Sequence, residues 1–106
     1  MSLSTHVLDT ARGEPAADVP VRLERPDGPG WAIVTEGRTG PDGRLRLAEA
    51  PLPAGRYRLV FDTASYLGEA AFFPEAAIVF VVRESQRHHH LPLLLSPFGY
   101  TTYRGS

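Results

Sequence analysis

The sequence contains no cysteine and no lysine. Without a thiol there is no thiolate nucleophile, no disulfide and no Cys-based metal site. Without a lysine there is no Schiff-base amine and no phosphate-loop lysine. All eleven basic side chains are therefore arginines, set against twelve Asp and Glu for a formal net charge of -1. That balance gives no electrostatic reason to bind nucleic acid or an anionic membrane. No apolar run approaches the roughly 20 residues that a membrane helix needs. The opening MSLSTHVLDT has no basic region followed by an apolar stretch, so a secretory signal is not expected and the cytoplasm is. Imidazole is scarce as well. The four histidines, His6, His88, His89 and His90, come from two places in the chain.

A length of 106 residues fits one domain, residues 1–106, and leaves no room for two independent cores. Ten Gly and ten Pro divide it into short segments, the spacing of an all-β fold. Leu3 to Leu8 reads as a first strand, and Ala11 to Ala17 as a turn. Val19, Val21 and Leu23 alternate with Pro20 and Arg22, which predicts an edge strand because Pro20 cannot donate to a ladder. Trp31 to Thr35 is a third run. The tight turn Gly40-Pro41-Asp42-Gly43 leads into Arg44-Leu45-Arg46-Leu47, a period of two. Tyr57, Leu59 and Phe61 alternate next, and Thr63 to Leu67 reads as one or two helical turns that Gly68 stops. Ile78 to Val82 is apolar on both faces, as a central strand would be, and Leu91 to Leu95 is similar. After the Phe98-Gly99 turn, Tyr100 to Tyr103 reads as a last strand. The expectation is a two-sheet antiparallel β-sandwich of seven to eight strands with one short helix.

Alternation puts His6 on the same face as Ser4 and Leu8, and puts Arg44 and Arg46 opposite Leu45 and Leu47. Each is, alone, an ordinary strand feature. In Arg87-His88-His89-His90, His88 and His90 share one face and His89 turns to the other with Leu91. On the run alone three uses stay open: a metal-chelating pair, a general base with an orienting partner, or an exposed polar strand start. The ending Tyr103-Arg104-Gly105-Ser106 carries a phenol, a guanidinium, a hydroxyl and a free carboxylate directly after a strand, so it reads either as an ordinary tail or as a flap over a site.

Four segments together resemble the 5-hydroxyisourate hydrolases of the transthyretin-like family. They are Leu3-Ser4-Thr5-His6-Val7-Leu8-Asp9, the Gly43-Arg44 turn exit, His88-x-His90-x-Pro92-Leu93-Leu94-Leu95-Ser96-Pro97, and the closing Tyr103-Arg104-Gly105-Ser106. Phe61-Asp62-Thr63 and Phe72-Phe73-Pro74-Glu75 also resemble that family's middle region. The closing tetrapeptide is the most specific, because within the family it separates the hydrolases from transthyretin, the hormone carrier. The resemblance implies a homotetramer of eight-stranded sandwiches with sites where subunits meet. It implies His6, Arg44, His90 and Ser106 as catalytic residues, with Tyr103, Arg104 and His88 lining the substrate site. One departure is His89, where the family usually has Tyr.

The implied reaction is urate catabolism: hydrolysis of 5-hydroxyisourate to 2-oxo-4-hydroxy-4-carboxy-5-ureidoimidazoline. Water attacks a carbonyl of a cyclic ureide, and an imidazole near neutrality is a suitable base. A fixed guanidinium, Arg44, suits the negative charge that develops on the attacked oxygen. No cofactor is expected, because the step is not a redox change. Three rival readings remain: a non-catalytic transthyretin-like binding protein, a metal-dependent hydrolase built on His6, His88 and His90, and a purely structural sandwich module.

Overall fold

The computed structural model describes residues 2–105. Its element order is β1 (Leu3–Asp9), β2 (Glu14–Pro15), β3 (Pro20–Asp27), β4 (Gly30–Arg38), β5 (Arg44–Ala48), β6 (Gly55–Phe61), α1 (Thr63–Leu67), a 3-10 turn at Gly68–Ala70, β7 (Ala76–Val82), β8 (His89–Ser96) and β9 (Gly99–Thr102). Two sheets face each other. One has the order β2-β1-β8-β9, with β5 also pairing to β1; the other has the order β4-β3-β6-β7. Among the described residues, eight of the strands run four residues or longer, and β2 is a two-residue addition. The sandwich, its strand count and its single short α-helix agree with the sequence expectation.

The core lies between the inward-facing positions of the two sheets. Leu3, Val7, Leu93 and Leu95 from one sheet meet Val21, Leu23, Leu59 and Phe61 from the other, none more than 2% exposed. These are alternate residues of their strands, so period-two patterning alone sends them inward. Asp9 closes the end of β1: its carboxylate accepts the amides of Ala11 and Arg12 and the Tyr66 hydroxyl at 2.7 Å, which fastens α1 to this sheet. The helix starts on Asp62, whose side chain accepts the Ser65 amide, and it ends at Gly68 with φ 68°.

Four placements depart from the sequence reading. First, β3 is interior, paired with both β4 and β6. Pro20 is tolerated because it is the first residue of the strand, where its carbonyl still accepts the Asp62 amide at 2.9 Å. Second, β7 is an edge strand despite being apolar on both faces, and Val79 and Val81 are nearly half exposed. Third, β1 and β8 pair in parallel, whereas the other ladders are antiparallel. Tyr103 falls just past β9 rather than within it.

Candidate active site

The register of β1 assembles one polar face. Against β5, His6 lies opposite Arg44 and Ser4 opposite Arg46. Against β8, Ser4 lies opposite His90 and His6 opposite Pro92. Partners in adjacent strands project to the same side of a sheet. Leu3, Val7, Leu91 and Leu93 take the inner side, so Ser4, His6, Arg44, Arg46 and His90 share the outer one. Histidines 84 residues apart in sequence thus become diagonal neighbours across a single ladder.

A glycine turn fixes His6. Gly43 has φ +79°, and a Cβ there would lie 2.4 Å from the Val7 carbonyl oxygen and 3.3 Å from Cδ2 of His6. Only glycine permits both the conformation and the approach. The result places the Asp42 carbonyl 2.9 Å from Nε2 of His6. A carbonyl oxygen only accepts, so Nε2 of His6 carries a proton and donates it. Arg44 leaves the same turn, its amide bonded to the Asp42 side chain and its guanidinium exposed.

His90 is held from two sides. Its Nδ1 lies 2.8 Å from Oγ of Ser4, which is itself 8% exposed. Gly105 forms an isolated antiparallel bridge with it and donates its amide to the His90 carbonyl at 2.8 Å. Burial, followed by the positive fields of His88, Arg44 and His6, holds the His90 imidazole below its ordinary pKa. The ring is therefore neutral and able to accept a proton near pH 7. His88 is exposed, with Nε2 3.2 Å from the same Ser4 Oγ and its ring stacked 6.5 Å from that of His90.

Tyr103 and Arg104 are exposed and lie at the other margin of His90. They border a recess of about 240 Å³ at the open edge of the sandwich, whose walls include Leu3, Ile78 and Phe80. His90 borders that recess, whereas His6 and Arg44 do not. His6, Arg44 and His90 are therefore gathered on one sheet face, with Tyr103 and Arg104 reaching only the His90 side of it. Ser106 lies outside the described residues. His89 turns inward as alternation requires, is 8% exposed and borders the same recess; burial, then the charge of Arg104, keeps its pKa down.

The three-imidazole metal arrangement is not formed: among the described residues no group of three His, Cys, Asp or Glu is placed to hold a metal ion. Sequence reasoning missed two positions. Ser4 was visible only as a face-mate of His6, and nothing in its neighbours announced that both histidines of the later motif would meet it. Gly105 had no signal beyond its place in the closing tetrapeptide.

Residues 3–105 match the model of the HIUase/Transthyretin family. The 5-hydroxyisourate hydrolase of Caulobacter vibrioides is 44% identical over 112 residues, covering 98% of this chain and 97% of that one. The structure of Klebsiella pneumoniae 5-hydroxyisourate hydrolase superimposes with a TM-score of 0.87 at 43% identity and covers all of both chains. Sea bream transthyretin in complex with thyroxine has a TM-score of 0.89 at 36% identity, covering 99% of this chain and 95% of that one.

Proposed function

The chain belongs to the HIUase/Transthyretin family, and from that membership we propose that it hydrolyses 5-hydroxyisourate in urate breakdown on the face shared by His6, Arg44 and His90. The observation that carries this reading is the register of β1, which sets a neutral imidazole, a second imidazole and a guanidinium side by side. His90 is the general base. Its pKa is lowered by burial and by its cationic neighbours, so the unprotonated form is the one present at neutral pH. His6, with its Nε2 proton committed to the Asp42 carbonyl, orients the water or the substrate.

The steps follow from these assignments. Nε2 of His90 takes a proton from water as the oxygen adds to a ring carbonyl. Arg44 stabilises the negative charge that develops on that carbonyl oxygen. The tetrahedral adduct then breaks its C–N bond, and His90 returns the proton to the leaving ring nitrogen. A carboxylate and a ureido group result, as the product 2-oxo-4-hydroxy-4-carboxy-5-ureidoimidazoline requires. Tyr103, Arg104 and His88 contact substrate at the margins, and Ser106 holds it or relays a proton. The reaction asks for no cofactor.

The working form in this reading is a cytoplasmic homotetramer of single-domain subunits with sites where subunits meet. Its support is exposed apolar surface: Val79 and Val81 on the edge strand β7, Ile33 and Val34 on β4, and Phe98, which is 79% exposed. The face bearing His6 and Arg44 is open in one subunit, and a neighbour would give it walls. The direct test is the loss of ultraviolet absorbance of 5-hydroxyisourate made freshly from urate, with spontaneous decay subtracted. No acceleration over that decay would overturn the reading in favour of a ligand-binding sandwich. Removal of Arg104 to Ser106 should then leave ligand binding unchanged.

A further inference from the structure

Ser4 sits between two imidazoles and can serve only one of them as a donor. Its Oγ is 2.8 Å from Nδ1 of His90 and 3.2 Å from Nε2 of His88. A serine hydroxyl owns one hydrogen and two lone pairs. If it donates to one ring nitrogen, it must accept from the other. With both rings neutral and the hydroxyl hydrogen placed between them, one of these two nitrogens carries a proton and the other does not, so the two tautomers are coupled through the hydroxyl.

Two arrangements then satisfy both contacts. In the first, His90 Nδ1–H donates to Ser4 Oγ, and Ser4 O–H donates to a bare Nε2 on His88. In the second, His88 Nε2–H donates to Ser4, Ser4 O–H donates to a bare Nδ1 on His90, and the proton of His90 moves to Nε2. Only the first leaves His90 Nε2 with a lone pair on the side away from the strand. Resting on the reading of His90 as the base, we propose that Ser4 is a positioning residue that holds His90 in its Nδ1–H tautomer through a His88–Ser4–His90 hydrogen-bond relay.

The geometry suits a fixed relay. Ser4 is 92% buried by its 8% exposure, lies in the centre of its sheet, and is paired through its backbone to β5 on one side and β8 on the other. Its side chain is therefore largely shielded from bulk water. During the reaction, the proton taken from water goes to Nε2 of His90, and Nδ1–H remains donated to Ser4. That bond gains charge assistance as the ring becomes cationic, and loses it when Nε2–H passes to the leaving nitrogen. No atom of Ser4 enters the product.

The test uses nitrogen NMR of the ¹⁵N-histidine-labelled full chain above the imidazole titration range, with His90 assigned from the spectrum of a His90→Gln variant. Wild type is expected to show His90 as the Nδ1–H form. Ser4→Ala should shift it towards the Nε2–H form that free imidazole side chains favour. The same variant should lower kcat by at least about 10-fold, a part of the ~10²–10⁴ that general-base assistance supplies, while KM moves little. Ser4→Thr keeps the hydroxyl and should restore both readouts. A wild-type His90 in the Nε2–H form would sink the relay, and that measurement needs no variant to fold. A Ser4→Ala protein with unchanged tautomer and kcat would sink it too. An Nδ1–H tautomer in a wild-type protein that fails to hydrolyse 5-hydroxyisourate would support the relay and overturn only the catalytic reading.

Discussion

Gly105 lies flat against the ring of His90: a Cβ built on it would come within 2.7 Å of Cδ2 of that imidazole. The backbone bridge between the two residues leaves no room to slide away, because the Gly105 amide is bonded to the His90 carbonyl. Gly105→Ala should tilt the ring or lift the tail, lowering kcat/KM by about 10-fold, a fraction of the general-base contribution. The tail adds no core, so the thermal midpoint should stay close to wild type. An alanine variant with full activity would show that this contact does not set the ring.

Gly43→Ala tests the opposite balance. Its Cβ would meet the Val7 carbonyl, a backbone atom that cannot rotate aside, at a φ that disfavours any side chain. Strain and overpacking together should cost about 3 kcal/mol, read as a lower denaturant midpoint with unchanged slope. Because the same turn carries the Asp42 carbonyl to His6, activity should fall further than the folded fraction does.

The pH profile follows from the His90 environment. Burial and the charges of His88, Arg44 and His6 lower its pKa from 6.5, so the acid limb of kcat/KM should lie below pH 6.5. Base function is complete above that limb and is lost as pH falls through it. Arg44→Ala removes one cation facing the imidazolium, so the remaining activity should show its limb at higher pH. A limb that stays in place would remove Arg44 from the electrostatics of the base.

Acid stability should trace to Glu24, buried beneath Arg22 and Arg58, with the latter also lying over Trp31 at 4.5 Å. Burial pushes its carboxyl up, but the hydrogen bonds and charges of the two guanidiniums outweigh that and hold it below the ordinary glutamate value of 4.5. A depressed folded-state value gives stability that is present above pH 4.5 and lost as pH falls through it. Glu24→Gln should cost about 2–3 kcal/mol near neutrality by leaving the two arginines without their anion. That gap should close in acid, where the wild-type carboxyl is protonated as well. A gap independent of pH would assign the loss to packing.

The strands were legible where one face is buried. Leu23, Leu59 and Phe61 announce their period of two, and Gly68 stops the helix as its chemistry demands. Position within a sheet was not legible. Pro20 argued for an edge through its missing donor, yet at the first position of β3 that donor is not needed. Ile78 to Val82 argued for a centre through its apolar character, yet β7 lies at an edge, and alternation cannot tell cover by a strand from cover by another molecule. The site follows the same rule. Alternation gave the faces of His6, Arg44 and His90, and the resemblance supplied their grouping. The contacts of Ser4 depend on a parallel register between distant segments, and that of Gly105 on an isolated antiparallel bridge to His90, neither of which a local pattern encodes.

That parallel ladder carries a consequence for folding. Leu3 pairs with His89 and Asp9 with Leu95, so the long loop between the two strands must close before the ladder can form. His6 meets Arg44, through the β1–β5 pairing, across a shorter stretch of sequence than separates it from the strand of His90. Non-local pairing of this kind forms slowly, so the face shared by His6, Arg44 and His90 should be among the later parts of the fold to be completed.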